Sequence, residues 1–403
     1  MVRESLEQRI VGRKAKDIFE QIRKVGTVSK IDLLEKSGLT GSTLTRTLEE
    51  LTAQGLILEA GFGESTGGRR PILYTINPQY AYVFGLDISR ITSKLMLFDL
   101  QMNKLETKSW VMTESLTPDV LLDDIVAAAR EMLAVRGIPL DKVLGMGIGA
   151  VGPLDRVSGT ILEPLYFPSA GWNQVHVTDT LAQKLGFPVL LDNGANTALI
   201  GESWSDRERD YQNLLYIHVG VGLRSAMMTN GQVVYGAVDM EGSIGQMIIQ
   251  TDGIRLRDQG NFGAWESYAS IHALEQQAQT RLKQGRDSIL LRMEKDPEKI
   301  TFSHLGQALQ NNDPLTVELF TQAATYFGIG LSNLLNILHP EKVILGGALI
   351  SSHPGFFHIA TRVAIQRTYY YPKYQVVFSL GSLGEDALAT GAAIMVINRL
   401  TAV

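Results

Sequence analysis

Apolar positions along this chain follow a helical period as far as residue 54, then alternate between strand-like and helical stretches. Ala15, Ile18, Phe19 and Ile22 fall at i, i+3, i+4 and i+7, predicting one buried face on a helix from about Leu6 to Lys24. Gly26 ends it. Ser29-Lys-Ile-Asp32 matches a capping box and opens a short helix through Lys36, with Leu33 and Leu34 turned inward. Gly38 supplies a tight turn, and Thr40 caps a third helix. There Leu44, Leu48 and Leu51 form the buried stripe, with Ser42, Thr45, Arg46 and Glu49 on the stripe opposite. Two short helices about a glycine turn, the second presenting Ser42, Thr43, Thr45 and Arg46, meet the requirements of a helix-turn-helix. Outward residues near the start of its second helix reach base edges in a major groove.

After Gly55, Leu56-Ile-Leu-Glu-Ala60 and Ile72-Leu-Tyr-Thr-Ile76 read as two strands flanking a loop from Gly61 to Pro71. This is a winged hairpin. Its glycine-rich tip carries Arg69 and Arg70, suited to a narrow, electronegative minor groove or to phosphates. Beyond Pro78 the chain predicts strands at Tyr82–Ser89, Ser93–Asp99 and Lys104–Met112, a helix over about 118–136, and a strand at Val143–Gly149. Leu214–Gly222 and Arg224–Thr229 repeat that opening, and Asn230-Gly231 is a strong hairpin signal leading into Gln232-Val-Val-Tyr235. A strand–turn–strand start that occurs twice predicts two related α/β lobes facing a cleft, a natural place for a ligand.

Composition narrows the function classes. The 403 residues are 45% hydrophobic, enough for two or three domains with real cores. With no cysteine, a disulfide framework, a thiolate metal site and a cysteine nucleophile are all excluded. The first residues carry charges where a signal peptide needs an apolar run. The longest uncharged stretch, Leu319 to Pro340, is interrupted by Thr, Gln, Ser, Asn and His, and fits a buried helix better than a membrane span. A cytoplasmic protein without a membrane partner is expected. The net charge of −5 argues against general polyanion binding, but it is unevenly spread. Residues 1–80 hold 12 Lys/Arg against 10 Asp/Glu, and 9–46 hold nine against four, so the rest of the chain carries −7. A basic, winged helix-turn-helix predicts DNA binding; the alternative is a docking module in which Arg46 is an ordinary solvated charge.

Several glycine-rich strings then add up to a family. They are Gly147-Ile-Gly-Ala-Val-Gly-Pro-Leu-Asp155, Asp192-Asn-Gly-Ala-Asn-Thr-Ala-Leu-Ile-Gly-Glu202, Val343-Ile-Leu-Gly-Gly347, and Leu383-Gly-Glu-Asp-Ala387 with Gly391-Ala-Ala393. In that order, behind a wing ending in Gly-Arg-Arg-Pro, they resemble the ROK family of sugar kinases and sugar-responsive repressors over essentially the whole chain. The repressor branch is the closer match. The resemblance implies an α/β fold: an N-terminal winged helix-turn-helix (1–80) followed by a two-lobed, actin-like (ribonuclease H-like) body. Lobe 1 would cover 81–200, completed by a C-terminal helix at about 386–403, and lobe 2 would cover 201–385 and carry the dimerisation surface.

Departures from the family pattern separate kinase from repressor. ROK kinases carry Asp-Ile-Gly-Gly-Thr in the first strand turn, where this chain has Asp87-Ile-Ser-Arg-Ile91. The second turn keeps Gly220 and Gly222, but Leu223, Arg224 and Ser225 replace glycines, and their side chains crowd the place of nucleotide phosphates. The kinase motif Glu-Asn-Asp-Ala-Asn reads Asp192-Asn-Gly-Ala-Asn196, so Gly194 stands where the catalytic base belongs. A glycine accepts no proton. In the family's zinc set, Gln246 replaces the histidine and Arg257, Gln259 and Ala264 replace the three cysteines, in a frame kept by Gly260, Gly263 and Glu266. Those side chains do not build a tetrahedral zinc site, so Trp265 and Phe262 are expected to pack inward in its stead. No catalytic residue, metal or cofactor is expected.

The family's sugar contacts persist in part. Asn193 and Glu266 match, while Ser243 and Gln246 replace the Glu and His of Glu-Ile-Gly-His. His218 lies on the strand entering the cleft, and Trp172, Phe167 and Tyr166 offer rings to a sugar face. Asn193, Ser243, Gln246, Glu266, Trp172 and His218 are therefore the expected sugar-binding set, with a core Trp172 and a satisfied buried His218 as alternatives. The resemblance implies a repressor of carbohydrate-metabolism genes, acting on operator DNA as a homodimer or tetramer. A small-molecule carbohydrate between the lobes would modulate it, and no kinase activity is expected. A repressor controlled by a protein partner of sugar transport, and a bifunctional sugar kinase, are the alternatives.

Overall fold

A computed structural model describes residues 6–64, 70–239 and 241–402. Its N-terminal region contains α1 (Arg13–Val25), α2 (Lys30–Ser37) and α3 (Gly41–Ala53), with strands β1 (Thr27–Ser29), β2 (Ile57–Phe62) and β3 (Ile72–Ile76) in the antiparallel order β1-β3-β2. Three details differ from the periodicity. Gly12, at φ +89°, separates a short turn at Leu6–Gln8 from α1, so there is no continuous helix from Leu6. Leu34 is exposed while Leu33 alone is buried, because a helix of eight residues has only one covered face. β1 pairs three residues between α1 and α2 with β3, too short a segment to show an alternating pattern. The capping box forms as read: Ser29 Oγ accepts from the Asp32 N–H and Asp32 answers the Ser29 N–H, both at 3.2 Å.

The contact pattern divides the chain into two compact units. The first extends to Asp210 and includes the segment from Asp386 onward. Its sheet runs β11-β7-β4-β5-β6, from β4 (Tyr82–Ile88), β5 (Thr92–Asp99), β6 (Lys104–Val111), β7 (Val143–Ala150) and β11 (Val189–Asn193). β4 to β6 form an antiparallel meander, and β7 and β11 add in parallel to β4. A small sheet of β8 (Leu154–Asp155), β9 (Thr160–Ile161) and β10 (Val175–His176) lies between β7 and β11 in sequence. Helices α4 (Pro118–Arg136) and α5 (Val177–Leu185) cover one face through Leu121, Ile125, Ala129 and Leu181. α6 (Gly194–Ser205) and the C-terminal helix Ala387–Thr401 cover the other.

Glycine sets how closely that second face packs. A Cβ on Gly85 would lie 1.9 Å from the Ala389 carbonyl oxygen, and one on Gly147 would lie 1.8 Å from that of Ala392. Only a strand lacking side chains there lets the C-terminal helix lie directly on β4 and β7. The winged helix shares this core: Phe19, Ile22, Leu44 and Leu48 belong to one apolar cluster with Val83, Phe98, Val396 and Ile397. The head is packed into the first lobe and shows no separate core of its own.

The second unit, Tyr211–Glu385, repeats the sheet plan. β12 (Leu214–Val219), β13 (Leu223–Thr229) and β14 (Gln232–Val233) form the meander, and β15 (Lys342–Gly346) and β16 (Val377–Ser379) add in parallel, in the order β14-β13-β12-β15-β16. Asn230 and Gly231, both at positive φ, make the β13–β14 turn. The uncharged stretch from Leu319 lies in the 25-residue helix Pro314–Leu338, whose Leu319, Ala323, Phe327 and Leu331 pack in the lobe core. Among the described residues no helix is long and apolar enough to cross a membrane.

Candidate functional site

At the head, Thr40 Oγ1 caps α3 by accepting from the Thr43 N–H, and no acidic residue sits in the first turn. The positive end of the helix dipole is thus unopposed by a local carboxylate. Ser42 and Arg46 are exposed, while Thr43 and Thr45 are half-buried. Thr45 Oγ1 donates to the Gly41 carbonyl at 2.7 Å and accepts from Lys30 Nζ at 2.6 Å. Lys30 is a cation on this face that the α3 stripe alone does not reveal. Arg46 is 81% exposed and pairs with Glu50, one turn on, at 2.8 Å. Such a surface i,i+4 pair contributes only about 0.3–0.5 kcal/mol, so a phosphate or base edge competes for this guanidinium at little cost. Arg70 is exposed at the foot of the wing; Arg69 lies outside the described residues.

In the first lobe, β11 delivers Asp192 and Asn193 to the start of α6. Both are buried. Asn193 is the N-cap, its Oδ1 accepting from the Asn196 N–H at 2.8 Å, and Asn196 Nδ2 donates to Asp192 Oδ1 at 2.9 Å. Gly194 follows as the first helical residue and brings no carboxylate. At the first strand turn, Ile91 is exposed, and Arg90 donates from Nε to the Leu165 carbonyl at 2.7 Å. Trp172 is only 2% exposed, stacks on Phe167 at 4.5 Å between ring centroids, and donates from its indole to Ser169 Oγ at 3.0 Å. Its ring packs among the residues of the lobe core.

In the second lobe, one carboxylate organises the segment where the family resemblance implied zinc. Glu266 Oε1 receives Gln246 Nε2 at 2.6 Å and Arg257 Nη2 at 3.0 Å. Gln246 in turn accepts from the Asn261 N–H through Oε1 at 2.8 Å and from Asn261 Nδ2 through its carbonyl at 2.9 Å. An amide, a guanidinium and a carboxylate knitted together in this way are not a donor set for zinc, which needs thiolates, imidazoles or several carboxylates around one point. Among the described residues no group of three His, Asp or Glu side chains is placed to hold a metal. Trp265 is buried and stacks on Phe327 at 5.1 Å, but Phe262 is 61% exposed. The expected inward pair is therefore half corrected: Trp265 packs inward and Phe262 does not, and the Gln246–Glu266–Arg257 hydrogen bonds tie the segment together. Their signal in the sequence was the polar character of the replacements.

Ser243 is exposed in the turn before Gln246, and His218 is half-buried with Nδ1 3.4 Å from the Tyr216 hydroxyl. At the second strand turn Gly220 donates to the Gly222 carbonyl at 3.1 Å, while Leu223 and Arg224 are buried. The expected crowding of a phosphate by Leu223 is corrected, because its side chain packs in the apolar core of the lobe with Leu215, Ile217 and Val219.

Comparison with known proteins bears on the whole chain. A profile described as ROK family matches residues 83–399. The chain is 26% identical to the xylose repressor of Bacillus subtilis (strain 168) over 382 residues, 95% of this chain and 94% of that one. It is 24% identical to the DNA-binding transcriptional dual regulator NagC of Escherichia coli (strain K12), over 82% of this chain and 79% of that one. Among solved structures, a ROK family transcriptional regulator, a homologue of the E. coli MLC protein, superposes with a TM-score of 0.79 at 22% identity over 96% of each chain. A ROK family glucokinase from Streptomyces griseus, in complex with glucose and AMPPNP, superposes with a TM-score of 0.64 at 24% identity, covering 78% of this chain and 99% of that one. Both share the fold.

Proposed function

The chain belongs to the ROK family, and from that premise we propose that it is a DNA-binding transcriptional repressor of carbohydrate-metabolism genes, modulated by a sugar. The observation that carries this reading is the pairing of an α3 start with no acidic residue in its first turn and with Ser42 and Arg46 exposed, and a body in which Gly194 opens α6 at the position of the kinase base. Ser42, Thr43, Thr45 and Arg46 read the major groove, with Arg69 and Arg70 on the wing at the minor groove or backbone. Each subunit of a homodimer takes half of a palindromic operator. Asn193, Ser243, Gln246, Glu266 and His218 are the candidate sugar contacts, since amides, hydroxyls, imidazole and a carboxylate suit directed hydrogen bonding to a polyol. The buried Trp172 orders the loop around it and contributes shape, not a stacking face.

Kinase activity is absent in this reading. Loss of a general base alone costs about 10²–10⁴ in rate. The site of action is cytoplasmic, where the DNA is. Selection of genomic DNA fragments on the purified protein tests the proposal. It requires a palindromic sequence bound far more tightly than random duplex, with affinity falling steeply as salt rises. Equal binding of all fragments, or none, would remove it.

A further inference from the structure

α6 has the candidate sugar contact at one end and the DNA-reading head at the other. Asn193 caps its start. At about 1.5 Å per residue, roughly 18 Å of helix separates that cap from Ser205. Trp204, in the last turn, lies under two guanidinium groups: Arg23 Cζ is 4.3 Å and Arg207 Cζ 4.5 Å from its ring. Arg23 belongs to α1 of the head and is buried. Its Nε and Nη2 grip Glu20 at 2.8 and 2.9 Å, and Nη2 also donates to Asn398 Oδ1 on the C-terminal helix at 2.6 Å. Among the described residues its buried Nη1 has no hydrogen-bond partner, so the indole face is its compensation. Arg207 closes the joint, donating from Nε to the Lys24 carbonyl at 2.9 Å and from Nη1 to the Trp204 carbonyl at 3.0 Å.

The C-terminal helix reinforces the same connection. A Cβ on its Gly391 would lie 1.6 Å from the Thr197 carbonyl oxygen of α6, so the two helices are in backbone contact. Its far end meets the head again, where Arg399 pairs with Glu7 at 3.5 Å and Lys16 donates to the Ala402 carbonyl. A buried arginine with three specific partners has one geometry, unlike a greasy contact that slides. Asn193 is therefore connected to α1 by one helix ending in a directional joint.

We propose that Trp204, held by Arg23 and Arg207, is the joint through which α6 couples effector binding at Asn193 to the placement of the DNA-reading head. The coupling of sugar to DNA rests on the repressor reading above; the joint itself rests on the contacts just described. Trp204→Leu removes the ring and Trp204→Phe keeps an aromatic face, while neither touches the proposed DNA or sugar contacts. In the unaltered protein the sugar is expected to weaken operator binding by a factor in the usual allosteric range, about 5–150-fold. Trp204→Leu is expected to reduce that factor below about 3-fold, with operator and sugar each still bound and the melting transition still cooperative; Trp204→Phe retains most of it. An unchanged factor in Trp204→Leu overturns the proposal, as does equal loss of operator affinity with and without sugar. If no sugar shifts operator affinity in the unaltered protein, the repressor reading loses its effector, and the joint is judged by amide exchange alone. Operator binding then changes exchange across 194–205 in the unaltered protein and not in Trp204→Leu if the joint transmits. No such change overturns it.

Discussion

Replacing Arg257 by methionine isolates what stands where the family resemblance implied a metal. The Glu266 side chain is 9% accessible and that of Arg257 29%, with 3.0 Å between Nη2 and Oε1. Breaking a fully buried pair by deleting one partner costs about 3–5 kcal/mol, because the remaining charge has lost both water and its counter-ion. Here the guanidinium is partly wet, and Gln246 still donates to the same oxygen at 2.6 Å. The expected loss is therefore about 2 kcal/mol, or about 4–8 °C in Tm for a lobe of this size. Removing both charges in Arg257→Met with Glu266→Gln should cost less than Arg257→Met alone, with a coupling of at least about 1 kcal/mol in the double-mutant cycle. Thermal melts of the four proteins, with and without chelator, measure this. A Tm unchanged in Arg257→Met, or a chelator-induced drop reversed by zinc, refutes the reasoning.

Other consequences follow from the same contacts. Arg46→Ala should weaken specific operator binding by about 1–3 kcal/mol in a fluorescence anisotropy titration and relax base preference at one position. Arg69→Ala with Arg70→Ala should instead weaken all duplexes alike and flatten the slope of log affinity against log salt by about 2. Gly194→Asp restores a carboxylate to the base position but leaves Asp87-Ile-Ser-Arg-Ile91 without the glycines of the first turn, so a coupled assay should still find no sugar-dependent ATP consumption; turnover would show that nucleotide binding survives. Burial pushes the Asp386 carboxyl up, but hydrogen bonds from Lys104 and Lys94 outweigh this and hold it below the usual carboxylate range. Its contribution to stability is thus present above the ordinary value of about 3.9 and is lost as pH falls through the folded-state value. Asp386→Asn should lower stability by about 1 kcal/mol at pH 7, and the two melting curves should converge in acid.

Features set by local pattern were readable in the sequence. The stripe of Leu44, Leu48 and Leu51, the capping box at Ser29, the helix Pro118–Arg136 and the turn at Asn230-Gly231 each depend on residues within one or two turns of one another. The repeated meander was visible as a repeated opening, and the structure extends it to whole sheets with equivalent strand orders. What escaped reading depends on partners distant in the chain. Arg23 looks like one more solvated cation of a basic head until Trp204 and Asn398 arrive from about 180 and 375 positions away to bury it. Trp172 and Phe262 show the same limit in opposite directions: an aromatic residue beside a glycine-rich turn is core or surface according to what packs on it, and periodicity does not say which. The candidate site was legible as residue types, because Gly194, Gln246 and Arg257 are chemically decisive replacements. Its geometry, with Gln246 and Arg257 converging on one oxygen of Glu266, was not.

The most direct measurement is operator affinity in the presence and absence of a panel of mono- and oligosaccharides, paired with sugar affinity in the presence and absence of operator. A sugar-modulated repressor requires that one sugar weaken operator binding by at least about 5-fold and that operator weaken sugar binding by the same factor, since coupling is reciprocal. Operator binding that no sugar alters, alongside sugar-dependent consumption of ATP, would contradict the account.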